Sequence, residues 1–399
     1  MNVLQICSKM PFPPYDGGSI AMNSITQGLI AQGHTVKVFA ISTFKHPINE
    51  VELDKHYRLK TDFESVFIDT SVKPIAAFIN LFTNDSYNIA RFYSPNFEKR
   101  LIEILKKQKF DIIQLESLFV APYVEVIRKY STAKIILRAH NVEYVIWERL
   151  AKNTANPLKK WYLHLLANRL KAYEINMLNK YDAIASITEV DRLQFQKDGC
   201  KLPIMNVPFG IDLMNIQIDS AVQEFPGVFH LGSMDWIPNA EGIKWILEKV
   251  WLKVLEKNPD LKLYLAGRNM PQWLLDYKMK NVIIVGEVDN SKLFINSKSI
   301  MLVPLFSGGG MRVKIIEGMA YGKTIISTSI GAEGIVCEHG ENIMIANDEN
   351  AFADAIVVCA NNKVLSDSLS ANARQLIETN YDNNIICEQL SNFYKGLLK

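Results

Sequence analysis

The chain has 399 residues, 48% of them hydrophobic and 22% charged, and a formal net charge of +2. This composition is ordinary for a soluble globular protein, and the length predicts two domains of roughly 150–200 residues each. No apolar run approaches the ~18 residues of a membrane-spanning helix, and neither a secretory leader nor a nucleic-acid partner is expected. The five scattered cysteines predict reduced thiols and a cytoplasmic location.

The charge is unevenly divided along the chain. Residues 1–209 hold 27 Lys and Arg against 20 Asp and Glu, whereas residues 210–399 hold 17 against 22. A basic half suits an anionic partner or an anionic membrane surface, and solvated helix faces explain the same count equally well.

An amphipathic stretch, Pro157–Lys180, bears on that choice. Apolar residues recur in it at helical spacing, with lysines and arginines outside: Leu158, Trp161, Leu165, Tyr173 and Met177. Packing of this stripe in the core is favoured over a helix that rests on the inner face of a membrane, although both stay open.

Short apolar runs alternate with longer amphipathic stretches along the whole chain. Runs without internal alternation are typical of strands buried on both faces, as in parallel sheets. The predicted strands are Val3–Ile6, Thr35–Ile41, Ile112–Leu115, Lys134–Arg138, Ala183–Ile187, Val228–Leu231, Leu261–Ala266, Val282–Val285, Ile300–Val303 and Thr324–Ser327. Helices are predicted between them, such as Ser19–Ala31, which Gly33 ends. The sequence therefore predicts an α/β fold with two doubly wound sheets.

The domain boundary is predicted at Pro208–Leu213, where Pro and Gly end the fifth strand region. Residues 1–209 then form the first domain and residues 210–382 the second. The last helix, about 383–399, is expected to return and pack on the first domain.

A glycine-containing loop, Pro13–Ser19, lies between the first strand and the first helix. Gly17 and Gly18 would let backbone N–H groups approach an anion at the helix N-terminus. A plain turn in which Asp16 or Ser19 caps the helix explains the same residues equally well. The dinucleotide fingerprint G-x-G-x-x-G is absent.

A polar cluster, His140–Glu143, follows the predicted strand Lys134–Arg138. Ligands of open parallel sheets bind beyond the carboxyl ends of the strands, so His140 is placed to donate to a sugar or phosphate oxygen. A single histidine is more often structural, and Arg138 could form an ion pair with Glu143.

The strongest motif is a glycine run, Gly308, Gly309 and Gly310, directly after the predicted strand Ile300–Val303. Such a run at the start of a helix can form a nest of amides for phosphate oxygens, which the helix dipole also favours.

Three charged residues follow that run within one helical turn or two: Arg312, Lys314 and Glu317. Cations in the first turn oppose the helix dipole unless an anion lies between them, which favours a ligand over plain surface charge. Glu317 is placed to accept hydrogen bonds from vicinal ribose hydroxyls.

The segment Gly318–Thr324 has some likeness to a P-loop, but its spacing and its helix-before-strand order are wrong. Lys323 is therefore interpreted as a solvated residue after a helix end. No D-x-D, H-E-x-x-H or G-x-S-x-G motif occurs, so neither a metal nor a cofactor is implied.

Taken together, these blocks resemble glycosyltransferase family 4, a group of retaining enzymes with the GT-B fold of two facing Rossmann-like domains. The resemblance covers nearly the whole chain. It rests on Asp16–Gly18, Arg138–Asn141, Pro208–Asp212, Gly232–Trp236 with Pro238 and Asn239, Ala266–Arg268, Val285–Val288, Gly308–Ala320, Gly322 with Lys323, and Thr328–Gly334.

The resemblance implies roles for these residues. Glu317 would hold the nucleotide ribose, and Gly17 and Gly18 would lie near the donor phosphates. His140 would lie beside the transferred sugar, and the backbone from Gly286 to Val288 would meet the base. The donors of this family are usually UDP- or GDP-sugars.

Three departures from the family pattern concern the donor site. Gly309 stands where the first Glu of a pair is expected, Ser233 stands where an Arg is common, and the Lys that follows in the family has no clear match near Asn239. The two cations of the glycine block, with Arg268, are expected to supply the missing positive charge.

The resemblance thus implies a retaining, metal-independent hexosyltransferase that uses a nucleotide sugar as co-substrate and a glycan or lipid-linked saccharide as acceptor. His140, Arg312 and Lys314 are its candidate catalytic residues. A GT-B sugar-nucleotide epimerase and a non-catalytic nucleotide-sugar-binding protein are the alternatives, and a Rossmann oxidoreductase is the weakest.

Overall fold

The computed structural model describes residues 1–14, 16–48, 53–73, 80–81, 83 and 85–399. Tyr15 of the first glycine-containing loop lies outside the described residues. The contacts divide the chain into two compact units. The first unit comprises residues 1–210 and 383–399, and the second unit comprises residues 211–382.

The first unit contains a seven-stranded parallel sheet with the order β3-β2-β1-β4-β5-β6-β7. Its strands are β1 Asn2–Cys7, β2 Thr35–Ser42, β3 Glu64–Phe67, β4 Ile112–Glu116, β5 Lys134–Ala139, β6 Ala183–Ser186 and β7 Ile204–Asn206. Its helices are Gly17–Ala31, Lys55–Thr61, Tyr87–Ala90, Pro95–Lys107, Val124–Tyr130, Glu143–Lys152, Pro157–Met177, Glu189–Lys197 and Asn383–Leu397, and a 3-10 helix spans Leu118–Tyr123.

Both faces of this sheet are buried. In β1, Leu4 and Ile6 belong to one hydrophobic cluster, whereas Val3 and Cys7 belong to another. Because successive side chains of a strand point to opposite faces, the two clusters cover the two faces of the sheet. This explains why β1 is apolar on both faces, apart from Asn2 at its start and the buried, hydrogen-bonded Gln5.

The second unit contains a six-stranded parallel sheet with the order β10-β9-β8-β11-β12-β13. Its strands are β8 Gly227–Leu231, β9 Lys262–Ala266, β10 Val282–Gly286, β11 Ile300–Val303, β12 Thr324–Ser327 and β13 Met344–Ile345. Its helices are Ile237–Trp245, Trp251–Lys257, Gln272–Leu275, Ser291–Asn296, Val313–Ala320, Glu349–Asn361 and Lys363–Asn380. A π-helical turn, Ile246–Val250, joins the first two, and 3-10 helices span Leu213–Asn215 and Ser220–Val222.

All the strands predicted from apolar runs occur, with ends that differ by one residue at most. The three that were missed, β3, β7 and β13, are only four, three and two residues long. They lie at the edges of the sheets, where less burial is needed and the apolar signal is correspondingly weak.

The predicted apolar stripe of the helix Pro157–Met177 is correct at its C-terminal end, where Met177 is buried and Tyr173 packs against the core, and wrong at its N-terminal end. The residues that this helix buries are Leu163, Leu166, Ala167, Leu170, Glu174 and Met177. Leu158 and Trp161 are instead 80% and 61% exposed. The stripe was misplaced because the helix also buries Glu174, whose carboxylate accepts hydrogen bonds from two backbone N–H groups of the helix Glu143–Lys152.

No described helix is both long enough and apolar enough to cross a membrane.

The C-terminal helix Asn383–Leu397 packs on the helix Gly17–Ala31 within the first unit. Ser24 donates through Oγ to Asn383 Oδ1 at 2.6 Å, and Asn383 Nδ2 donates back to the Ser24 carbonyl at 2.9 Å. A Cβ atom on Gly28 would overlap the Cys387 Sγ atom, so this close approach requires glycine.

We predict that Gly28→Ala lowers the free energy of unfolding by about 1–3 kcal/mol, because overpacking outweighs the higher helix propensity of Ala. Urea unfolding followed by circular dichroism measures the change. Gly396→Ala is the control, since a Cβ there meets nothing within 4 Å. Its free energy of unfolding should stay constant or rise by up to about 1 kcal/mol. Equal effects of the two substitutions would contradict this packing.

Candidate functional site

Four neighbouring strands of the second sheet end in loops that lie side by side. In the order β10, β9, β8 and β11, these loops begin at Glu287, Gly267, Gly232 and Pro304. The Gly267 N–H donates to the Gly286 carbonyl at 2.8 Å, and the Gly232 N–H donates to Ala266 at 3.1 Å. The carboxyl edge of this sheet therefore brings together the segments that the sequence assigned to donor binding.

Glycine is required at several points of this edge. Gly267 has a φ of 153°, and a Cβ there would overlap the carbonyl oxygen of Gly232. Gly308 and Gly310 have φ values of 100° and 75°, which L side chains rarely adopt. The glycine run thus makes a tight loop between β11 and the helix Val313–Ala320.

The Arg312 side chain is directed into this loop. It is only 5% exposed, and its Nη1 donates to the carbonyls of Gly309 and, at 2.7 Å, Gly310. The guanidinium also lies over the Trp236 ring, 5.4 Å from its centroid. Arg312 therefore holds the shape of the glycine loop in addition to adding positive charge there.

Lys314 lies in a polar pocket beside Gly232. Its Nζ donates to Asn239 Oδ1 at 2.8 Å, and Asn239 Nδ2 donates to the Ser233 carbonyl at 2.7 Å. A Cβ on Gly232 would lie 2.5 Å from Lys314 Nζ. Burial, with repulsion from Arg312, lowers the pKa of Lys314 to about 7. The Lys314 ammonium thus lies beside Asn239, near which this chain has no clear match to the lysine that the family resemblance implies.

His230 is a residue of this pocket that the sequence analysis missed. It is fully buried in β8, and its Nδ1 lies 2.9 Å from the Leu302 carbonyl, which can only accept. Nδ1 therefore carries the hydrogen, and Nε2 is an acceptor. Burial and the nearby Lys314 lower the pKa of His230 to about 3. Within the described part of the chain Nε2 has no hydrogen-bond partner. The sequence signal that could have identified His230 is its position within an otherwise apolar predicted strand.

Glu317 and Arg268 flank this pocket on different elements. Glu317 lies one turn after Lys314 in the helix Val313–Ala320, and burial raises the pKa of its carboxyl. Arg268 follows β9 and is exposed. The Ser233 hydroxyl, and more weakly the Arg268 charge, lower the pKa of Asp235.

The interpretation of Lys323 as a solvated residue is wrong. It is 1% exposed, its Nζ donates to the Asn296 carbonyl at 3.2 Å, and burial lowers its pKa to about 8. Lys323 follows a helix end as expected, but its side chain is buried at the amino end of β12. The glycine loop lies at the opposite, carboxyl edge of the sheet. The hydrogen bond of Lys323 is made to the last residue of the helix Ser291–Asn296.

In the first unit, the glycine-containing loop forms a capping box and an ion pair. Asp16 accepts from the Ser19 N–H, and Ser19 Oγ accepts from the Asp16 N–H, both at 2.9 Å. Lys9 Nζ lies 2.6 Å from Asp16 Oδ2, and a Cβ on Gly18 would lie 2.9 Å from that ammonium. Gly17 is the first residue of the helix. The helix cap that the sequence offered as an alternative is therefore formed by Asp16 and Ser19. The sequence analysis missed Lys9, which pairs with Asp16.

His140 lies within a buried charge cluster at the carboxyl edge of the first sheet. Its Nε2 is 2.6 Å from Glu116 Oε2, and Arg138 Nη1 is 3.2 Å from the same oxygen. Glu116 and Arg138 are fully buried. The predicted ion pair between Arg138 and Glu143 is wrong, because β4 and β5 are neighbours and bring Glu116 directly beside Arg138.

Known proteins match the second unit and also the whole chain. Residues 226–362 match the family described as Glycosyl transferases group 1. The chain is 27% identical over 401 residues to an uncharacterized 44.6 kDa protein in the cps region of Klebsiella pneumoniae, with 96% of each covered. It is 22% identical over 213 residues to a phosphatidyl-myo-inositol mannosyltransferase of Mycobacterium leprae, covering 51% of this chain and 56% of the relative.

Solved structures match over the full length. Sucrose-phosphate synthase from Thermosynechococcus elongatus superposes with a TM-score of 0.72 at 15% identity, covering 100% of this chain and 99% of that one. Anabaena HepE in complex with UDP gives 0.67 at 11% identity, covering 99% and 100%. The fold is GT-B. The GT-B class predicted from the sequence is thereby confirmed, and the match to the group 1 family falls on the unit that carries the glycine loop.

We predict that the buried Lys314 makes the GT-B chain more stable as the pH rises above about 7. The native ammonium loses its proton near that pH, whereas an unfolded lysine keeps it to about 10.4, so the unfolded state binds more protons in between. Relative to Lys314→Met, the wild type should gain on the order of 1–3 kcal/mol in free energy of unfolding between pH 7 and 10. Urea titrations at several pH values test this, and parallel pH profiles of the two proteins would contradict it.

Proposed function

We propose that this protein is a retaining, metal-independent hexosyltransferase. It would transfer a sugar from a UDP- or GDP-sugar to a glycan or lipid-linked saccharide. The observation that carries the proposal is the partly buried Lys314 ammonium beside the glycine loop, at the carboxyl edge of the sheet where ligands of α/β sheets bind. The group 1 family match over residues 226–362 supports the same reaction class.

The chemistry of sugar transfer explains why such a pocket would be needed. Breaking the bond between a sugar and a nucleoside diphosphate places growing negative charge on the leaving phosphate. Preorganised cations and amides stabilise that charge without reorganising during the reaction. We assign this task to Lys314 and to the loop that Arg312 shapes, and Arg268 adds charge nearby. His230 Nε2 and Asn239 keep the pocket polar.

The remaining donor contacts follow from the same edge of the sheet. Glu317 would accept hydrogen bonds from the ribose, and the backbone from Gly286 to Val288 would meet the base. HepE has been solved in complex with UDP-glucose, which supports this ligand class for a GT-B chain.

A carboxylate at Gly309 is not required in this mechanism. The leaving phosphate itself would help to remove the proton from the acceptor hydroxyl, so no side-chain nucleophile is needed. A Glu at that position would contact a neutral sugar hydroxyl, which affects binding more than charge stabilisation. The glycine instead offers its carbonyl to Arg312.

We place the reaction in polysaccharide biosynthesis at the cytoplasmic face of a membrane. The relative from Klebsiella pneumoniae is described by its place in a cps region. TarM of S. aureus, whose solved structure is similar to this chain with a TM-score of 0.67, has been solved with UDP and a saccharide. The exposed Leu158 and Trp161, next to Lys159 and Lys160, form a small apolar and basic patch that suits an anionic bilayer surface.

We predict that the protein releases nucleoside diphosphate from a UDP- or GDP-hexose, and that Lys314→Met lowers turnover about 10²-fold or more because a charge-stabilising group is lost.

Glu317→Gln should weaken nucleoside diphosphate binding by ~1–3 kcal/mol, the scale of charged hydrogen bonds. Coupled nucleotide-release assays and calorimetry measure both. Lys280→Met, an exposed lysine of the same unit, is the matched control and should behave as wild type.

The product analysis separates the alternatives. Transfer to a saccharide or lipid-linked acceptor is the expected outcome. Release of an altered free sugar without any acceptor would favour the epimerase, and tight binding without nucleotide release for any acceptor would favour a binding protein. Normal turnover of Lys314→Met would move the phosphate site away from this pocket.

We predict that the protein co-floats with vesicles containing phosphatidylglycerol at low salt and less at high salt, since screening weakens attraction to the lysines. Trp161→Ser should reduce the bound fraction several-fold. Trp273→Ser removes an exposed tryptophan of the second unit and should leave flotation unchanged. Failure of the wild type to bind at either salt concentration would remove the membrane contact from this proposal.

A further inference from the structure

Glu116 is a buried carboxylate whose two oxygens face different partners. Oε1 accepts from Gln5 Nε2 at 2.7 Å and from Gln114 Nε2. Oε2 accepts from Arg138 at 3.2 Å and lies 2.6 Å from His140 Nε2. An ionised carboxylate can only accept, so each of these four groups must present a hydrogen atom to it.

The carboxylate of Glu116 is ionised in this setting. Burial alone would raise its pKa, but the Arg138 guanidinium and the His140 hydrogen bond outweigh burial and lower the pKa to about 2. The Gln114 amide is itself oriented, because Tyr394 of the C-terminal helix donates to Gln114 Oε1. The hydrogen on His140 Nε2 therefore follows from a fixed set of neighbours.

His140 then offers its other ring nitrogen as an acceptor. Burial lowers the pKa of this imidazole below its usual value, which favours the neutral ring. With Nε2 protonated, the neutral ring has its lone pair on Nδ1. The side chain is 14% exposed, and among the described residues no group hydrogen-bonds to Nδ1.

We propose that Glu116 is a positioning residue that holds His140 as the Nε2–H tautomer, so that Nδ1 accepts a hydrogen bond from a hydroxyl of the sugar substrate. This rests on the proposed transferase function. It reverses the donor role that the sequence suggested for His140, and it selects a hydroxyl over a phosphate oxygen, which has no hydrogen to give at neutral pH.

Glu116→Ala gives a sharp test because it removes the acceptor and leaves a fixed donor beside the ring. Arg138 Nη1 lies 3.4 Å from His140 Nε2, and a guanidinium can only donate. Without the carboxylate, Nε2 becomes the acceptor for this guanidinium. That nitrogen loses its hydrogen, and the ring changes to the Nδ1–H tautomer.

The experiment records ¹⁵N shifts of His140 by long-range ¹H–¹⁵N correlation in the free, full-length protein. The wild type should show a protonated Nε2, Glu116→Ala a protonated Nδ1, and Glu116→Asp, which keeps the carboxylate, a protonated Nε2. Glu174→Ala is the matched control, because Glu174 is a buried carboxyl of the same unit that accepts from the Glu143 and Tyr144 backbone. Its His140 spectrum should match the wild type.

Turnover of UDP-glucose or GDP-mannose supplies the second readout. Glu116→Ala should lower kcat/KM about 10- to 100-fold, the range for one substrate hydrogen bond, and Glu116→Asp should recover part of it. A wild-type ring protonated on Nδ1 would overturn the proposal, as would an unchanged tautomer in Glu116→Ala. A changed tautomer with unchanged kcat/KM would overturn the acceptor role of Nδ1. If the wild type turns over no donor, the transferase proposal fails, while the spectra still decide whether Glu116 sets the tautomer.

Discussion

Both faces of the first sheet are covered, the strands β11 and β12 of the second sheet are buried throughout, and this burial decides where polar chemistry can occur. Successive residues of β1, such as Val3 and Leu4, enter separate clusters on the two faces, and the backbone groups are used in the strand ladders. A polar side chain buried within a strand needs a polar partner, as Gln5 and Gln114 have in Glu116. Glu116, Arg138 and His230 all lie at or next to the carboxyl ends of their strands.

The two units treat the buried charges at these edges differently. In the first unit the Arg138 charge faces the carboxylate of Glu116, and amide groups complete the hydrogen bonds. In the second unit the described partner of the Lys314 ammonium is the neutral amide of Asn239. Burial and repulsion from Arg312 lower the pKa of Lys314 to about 7, and the neutral amide offers no opposing charge. A phosphate would supply the missing negative charge, and this electrostatic need is the physical basis of the proposed donor site.

The features that the sequence could predict are those set by local pattern. Long apolar runs identified the central strands, and the glycine run with its cations identified the loop after β11. Contacts between residues far apart in the chain could not be read in this way. Lys314 meets Asn239 across 75 positions, and Glu116 meets Arg138 across 22. Lys323 was misplaced for the same reason, because its acceptor is a carbonyl 27 residues earlier.

The departures from the family pattern at Asn239 and Gly309 have one explanation: in this chain the positive charge of the pocket comes from Lys314 and Arg312 of the segment after β11. The resemblance expects a lysine near Asn239, at the start of the helix after β8, where this chain has an amide. Since β8 and β11 are neighbours, a lysine on the helix after β11 reaches Asn239, whose Oδ1 accepts from its ammonium. Gly232 leaves the room that this ammonium occupies. The left-handed backbone at Gly308 and Gly310 shapes a loop whose carbonyls accept from Arg312. In the proposed donor site, the positive charge that would stabilise a leaving phosphate therefore comes from a different segment of the chain than the resemblance implies.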